Sequence, residues 1–102
     1  MNIYKDIYLS DSLIKNKRKI ISNIKKNKIM LGKYIITLPV GNYGILEIYP
    51  YIVLMQKIYQ ESDVFVIGVA DSMEDAVDIT RNIVTECYNI TAAFDIKEYL
   101  ER

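Results

Sequence analysis

The stretch Asp63-Val64-Phe65-Val66-Ile67-Gly68-Val69-Ala70-Asp71-Ser72-Met73-Glu74-Asp75-Ala76-Val77 decides the fold. Val64 to Ala70 is dominated by β-branched and aromatic side chains, which suit a pleated surface and predict a strand. Its apolar residues stand at both parities. Successive side chains of a strand point to opposite faces, so both faces of this one need cover. Gly68 inside the run points to a bulge or a close backbone approach. Asp71 and Ser72 then offer oxygens to the free amides of a helix start, with Glu74 and Asp75 in the first turn, a capping box in which Ser72 or Asp71 is the cap. Met73, Ala76, Val77, Thr80, Ile83, Val84, Cys87 and Tyr88 recur on one stripe and predict a helix over 72–89. Asn89 suits a left-handed stop, and Asp95 to Leu100 adds a short terminal helix.

Working back from that strand, residues 45–60 hold two readings. Pro50 removes an amide donor and pushes Tyr49 towards extended geometry, yet it is comfortable in a helix's first turn. The preferred reading is a strand at 45–49 and a helix at 50–60. The alternative is one helix kinked at Pro50. Lys33 to Leu38 is a further strand, joined to 45–49 through the turn Pro39-Val40-Gly41-Asn42-Tyr43-Gly44, whose Gly and Asn tolerate positive φ. Ser10-Asp11-Ser12 can cap a helix, and Leu13, Ile20, Ile21 and Ile24 recur at helical spacing, which predicts a helix over 11–27 broken by Gly32.

The order is therefore α-β-β-α-β-α. It predicts a single α/β (α+β) domain over residues 1–102, in two layers, with helices on one face of a small three-stranded mixed sheet. The last two strands should be linked by a parallel, right-handed crossover. A chain of 102 residues supports one core. Hydrophobic residues at 51% and charged residues at 25% place it with globular chains and away from disorder. No apolar run has the roughly 20 residues that span a bilayer. Met1 to Ser10 lacks the continuous apolar core of a secretory signal. The single cysteine, Cys87, and the lack of a signal fit a reducing cytoplasm.

Phe65-Val66-Ile67-Gly68-Val69-Ala70-Asp71, Glu74-Asp75-Ala76-Val77, Leu46-Glu47-Ile48-Tyr49 and Phe94-Asp95-Ile96-Lys97-Glu98-Tyr99-Leu100 together resemble a set of small hypothetical proteins from low-GC Gram-positive bacteria. The abundance of Ile, Lys, Asn and Tyr agrees with the codon bias of an AT-rich bacterial genome. The shared features are a strand, a cap and apolar positions, and Pro50 departs from the pattern. The resemblance implies relatives and no chemistry.

Charge is the informative global feature. The net charge is zero, but residues 1–33 hold nine Lys and Arg against two Asp, a net of +7, and residues 60–102 hold three basic against ten acidic residues, a net of −7. Lys15, Arg18, Lys19, Lys25 and Lys26, with Lys17 and Lys28 beside them, form either a phosphate-contacting surface for nucleic acid or a solvated helix face. A third use is contact between the basic end of one copy and the acidic end of another. Asp71, Glu74, Asp75 and Asp78 follow the decisive strand at its carboxyl end, where open α/β sheets bind ligands and where oxygens could hold Mg²⁺. The plainer reading is capping and dipole complementarity. Tyr43, Tyr49 and Tyr51 cluster around the hairpin, as a pocket, an interface or a partly buried core rim. Histidine is absent, which removes the usual general base and the usual partner of a nucleophilic cysteine. Cys87 therefore reads as a structural thiol, and the glycines form no nucleotide-binding fingerprint.

No cofactor is called for. The leading expectation is a non-enzymatic, cytoplasmic interaction or regulatory module acting as a homodimer, assembled by sheet-face packing or edge pairing. The alternatives are nucleic-acid binding through the basic helix, and small-ligand or metal-dependent activity at the acidic junction.

Overall fold

A computed structural model describes residues 2–39, 45–56 and 64–101. Its first element is a strand, β1 (Asn2–Leu9). A 3₁₀ helix follows (Asp11–Asn16), then α1 (Lys17–Lys25), β2 (Tyr34–Thr37), β3 (Glu47–Pro50), the short α2 (Tyr51–Leu54), β4 (Phe65–Ala70), α3 (Met73–Thr91) and α4 (Ile96–Leu100). Among the described residues the four strands form one mixed sheet in the order β1-β4-β2-β3.

Three expectations are corrected. The sheet has a fourth strand, β1, which runs parallel to β4. Its Ile3, Ile7 and Leu9 pack on one side and Tyr4 and Tyr8 on the other, the alternation of a strand covered on both faces. Lys5 and Asp6 interrupt that pattern in the sequence and hide it. The helix expected over 11–27 is a tight 3₁₀ segment followed by a nine-residue α-helix. The third correction concerns layers. Val66, Val69 and Ile35 bury against Leu13 of the 3₁₀ helix, Ile20 and Ile24 of α1, and Tyr51 and Leu54 of α2. Ile67 packs with Ile83 and Cys87 of α3 and with Ile96 and Leu100 of α4, and Ile36 and Ala70 pack with Ala76 of α3. Ile35 and Ile36 are adjacent in β2, so these cores lie on opposite sides of the sheet. Helices cover both faces, and the structure has three layers where two were expected.

β3 and β4 both run antiparallel to β2. They are parallel to each other, as expected of the last two strands, but β2 lies between them. The hairpin of β2 and β3 pairs Tyr34 with Pro50 and Thr37 with Glu47, so Pro50 ends the edge strand, where its missing N–H is tolerated. The kinked-helix alternative for 45–60 is therefore excluded. The proposed helix over 50–60 is a single turn at Tyr51–Leu54, and residues 57–60 lie outside the described residues.

The double-sided burial of β4 rests on a bulge. Ile36 pairs with Gly68, but Thr37 pairs with Val66, which leaves Ile67 as an extra residue. That insertion lets Val66 and Val69 share one core while Ile67 and Ala70 face the other side. Gly68 sits beside it. A Cβ there would lie 3.1 Å from the Tyr8 carbonyl oxygen and 3.2 Å from Ile36 Cδ1. A side chain at this position would therefore need β1 or Ile36 to give by a few tenths of an ångström.

α3 has 19 residues. Ser72 caps it, its Oγ accepting from the Asp75 amide at 3.0 Å. The helix ends past Asn89, at Ala92 in the left-handed region (φ 57°), whose amide donates to the Tyr88 carbonyl at 2.8 Å. No helix among the described residues is long and apolar enough to cross a membrane.

Two substitutions test this account by chemical denaturation. Gly68→Ala should destabilise by about 1–3 kcal/mol, the range for overpacking against a fixed neighbour. Ala92→Gly should stabilise by about 0.5–1 kcal/mol. It relieves a left-handed penalty of about 1–2 kcal/mol and gives part back through unfolded-chain entropy. A neutral Gly68→Ala would contradict the close approach of β1 to β4.

Candidate functional site

β1 and β4 end side by side, with Leu9 paired to Val69. From there the chain diverges. After β1 it enters the 3₁₀ helix and α1 on one face, and after β4 it enters α3 on the other. Such a divergence opens a crevice at the carboxyl ends of the strands. Here it is a shallow cleft of about 450 Å³ whose lining includes Ser10, Ser12, Asp75, Asp78 and Asn82.

Next to this cleft, Asp71 is held from three sides. Lys33 Nζ lies 2.8 Å from its Oδ1. The Ser12 hydroxyl donates to its Oδ2 at 2.7 Å. The Asp71 amide donates to the Oγ of buried Ser10 at 2.9 Å. The Lys33 ammonium, and after it the Ser12 hydroxyl, hold the Asp71 carboxyl below the usual carboxylate range. Both of its oxygens are thus engaged by the protein itself. Asp78 pairs with Arg81 at 3.3 Å, and Glu74 and Asp75 stand in the first turn of α3 beside its cap. Among the described residues, no group of three or more Cys, Asp or Glu side chains is disposed to hold a metal ion. The acidic junction is a cap and a clip that ties the segment after β1 to the start of β2 and the end of β4.

Of the hairpin tyrosines, Tyr49 and Tyr51 pack into the same core. Tyr43 lies outside the described residues. Tyr51 is a core residue, 1% exposed. Tyr49 is half-buried on β3, and its hydroxyl donates to the Glu47 carboxylate. A second aromatic group lies on the other side of the sheet. Tyr4 stacks on Tyr8 with centroids 6.3 Å apart and tilts against Phe65 at 6.4 Å. Tyr99 adds its hydroxyl, which is hydrogen-bonded to Glu86 and Tyr8. Burial first, then the Glu86 carboxylate, pushes its ionisation well above the ordinary tyrosine range. Tyr4 and Tyr8 escape sequence reading because β1 does.

The basic residues do form a surface. Lys15, Arg18, Lys19, Lys25 and Lys26 are all exposed. Arg18, Lys25 and Lys26 surround a shallow hollow of about 310 Å³ with Ile21 and Ser22. Lys15 and Lys19 flank a second, with Ile14. None of the five is ion-paired to another described residue. This face and α3 lie on opposite sides of the sheet. α3 carries Glu74, Asp75, Asp78 and Glu86 against Arg81 alone. Between this acidic face and the buried stripe of α3 runs an exposed apolar ridge. Met73, Val77, Tyr88 and, just beyond the helix, Phe94 are each at least 40% exposed, and Tyr88 stacks on Phe94 at 5.0 Å. Cys87, one residue from Tyr88, faces inward and is buried, with its Sγ 3.5 Å from the Ala93 carbonyl oxygen.

Asp71 generates a pH prediction. Its ionisation is depressed in the folded state, so its stabilisation is complete above the unfolded carboxylate value of about 4. It is lost as pH falls through the lower, folded value. Thermal melts should therefore show Asp71→Asn less stable than the parent at neutral pH, with the gap closing in acid. A gap independent of pH would rule out the clip.

No family model, no curated protein and no solved structure matches the chain.

Proposed function

We propose that this chain is a non-enzymatic interaction module that assembles head to tail, the basic α1 face of one copy seating on the acidic α3 ridge of the next. The observation that carries the reading is the α3 ridge, where Met73, Val77, Tyr88 and Phe94 lie exposed beside a face that carries Glu74, Asp75, Asp78 and Glu86. A 19-residue helix is about 28 Å long, enough for an elongated contact. The basic face offers complementary charge and an exposed Ile14. Complementary fields orient an encounter and raise its rate.

Of the routes to self-association read in the sequence, contact between basic and acidic ends is the one retained, in place of sheet-face packing and edge pairing. Sheet-face packing has no free face to use, because helices cover both. Edge pairing is also opposed. β1 carries Lys5 and Asp6 mid-strand with an irregular register, and β3 is four residues long and ends in Pro50. Charge, proline, shortness and bulges are the devices that keep sheet edges apart. The geometry also bears on symmetry. A two-fold dimer buries the same patch on both copies. Patches on opposite sides of one sheet cannot meet in one such interface, so their contact is heterologous and builds a ring or an open chain.

Sedimentation at low salt should give a mass above the 11.9 kDa of one chain, returning to it as salt rises and screens the contact. Val77→Asp and the pair Arg18→Glu, Lys25→Glu should each abolish the larger species. A monomer at low salt and high protein concentration would overturn the reading.

The grouping of Arg18, Lys25 and Lys26 around one hollow favours a second reading, nucleic-acid binding through α1. A gel-shift with mixed DNA and RNA separates the two. A shift that weakens with salt, and is lost in Arg18→Glu with Lys25→Glu but kept in Val77→Asp, supports nucleic acid.

A further inference from the structure

At the other end of the sheet, away from the Asp71 clip, lies an apolar pocket. It sits where β4 begins and β2 ends, beneath α4. Tyr4, Leu38, Phe65 and Leu100 form its walls. Its volume of about 310 Å³ lies at the lower end of small-molecule sites. Taking the roughly 30 Å³ that a water occupies in the liquid as the measure of one heavy atom, it holds about ten of them. Lys5 from β1, Lys97 from α4 and Glu101, which caps the end of α4, stand at the rim. Two cations and one carboxylate leave that rim at +1. Neither lysine is ion-paired to another described residue, although Glu101, the C-cap of α4, is four residues from Lys97.

We infer that this pocket binds a small aromatic carboxylate. The ring packs within the apolar walls against Tyr4 and Phe65, whose own rings meet at 6.4 Å with a 45° tilt and can each take an edge or offset contact. The carboxylate stays at the rim and accepts charge-assisted hydrogen bonds from Lys5 and Lys97. An apolar cleft with a few convergent polar groups is the usual architecture of a small-ligand site: the walls supply affinity and the polar groups fix orientation. The pairing of an apolar floor with a cationic rim selects an amphipathic anion over a sugar, whose hydroxyls would go unsatisfied against Leu38 and Leu100. It selects equally against a cation, which Lys5 and Lys97 repel.

The site is independent of the α3 ridge, so the two readings fail separately. Cinnamate and its neutral isostere cinnamamide serve as probes, each followed by two-dimensional NMR titration of the full chain. Cinnamate should shift the resonances of Leu38, Phe65 and Leu100 along a saturable curve, and cinnamamide should bind about fivefold more weakly, the effect of two exposed ion pairs. Lys5 and Lys97 are exposed, so Lys5→Gln with Lys97→Gln should leave the fold intact, verified by its unchanged amide spectrum, and should erase the difference between the probes. Three results would overturn the inference: no saturable shift at these residues, equal binding of the two probes to the parent chain, or cinnamate shifts confined to Arg18, Lys25 and Lys26.

Discussion

Everything in this molecule depends on one strand being apolar on both faces and hydrogen-bonded on both edges. β4 pairs with β1 on one side and β2 on the other, and Val66 through Ala70 are fully buried. A strand so placed can be stabilised only if helices cover both of its faces. The bulge at Ile67 serves that end. By spacing Val66 and Val69 onto the same side, it lets six residues supply two cores. The cost is a tight position, where a Cβ would lie 3.1 Å from the Tyr8 carbonyl oxygen, and Gly68 occupies it.

Two-sided cover turns a linear asymmetry of charge into a spatial one. The basic third of the chain folds into α1 on one side, and the acidic third folds into α3 and α4 on the other. The sheet stands between them as a layer of low polarisability. The molecule is neutral as a whole and strongly dipolar across its sheet. Such a field steers partners of opposite sign to each face over about a Debye length, close to 10 Å in moderate salt. The ion pair Lys33–Asp71 joins the two sides, cation from the basic third and anion from the acidic third.

Local signals were legible in the sequence, and long-range ones were not. The run Val64 to Ala70, the Ser72 cap and the α3 stripe could be read directly, because each depends on residues within a turn or two of one another. The need for cover on both faces of β4 was also legible. What supplies that cover was not. Ile20, Ile24 and Leu13 read as an amphipathic helix, but nothing local says which side of the sheet it takes. β1 was missed because Lys5 and Asp6 break the alternation in mid-strand. An edge strand accepts charge there since one of its sides never pairs, and it is recognisable only beside β4. The tyrosines show the same limit. Tyr49 and Tyr51 are neighbours in sequence, but one ends on an edge strand and the other in the core. Tyr4, Tyr8, Phe65 and Tyr99, distant along the chain, meet on the far side of the sheet.

The two ends of the sheet now differ in a way that bears on function. Open α/β sheets bind ligands at the carboxyl ends of their strands, where loops diverge and backbone groups are left to satisfy. In this chain that end is occupied by its own groups. Lys33 fills the cation's place, Ser12 and Ser10 take the remaining hydrogen bonds, and Asp71 has no oxygen to spare. A ligand there would have to displace a paired ammonium and two hydroxyls that the chain delivers without entropy of association. The opposite end has the reverse balance. Its walls are apolar, its cations lack an ion pair among the described residues, and a ligand displaces only water. The placement of Lys33 thus moves the favourable site for small molecules to the end of the sheet where α/β folds seldom use it.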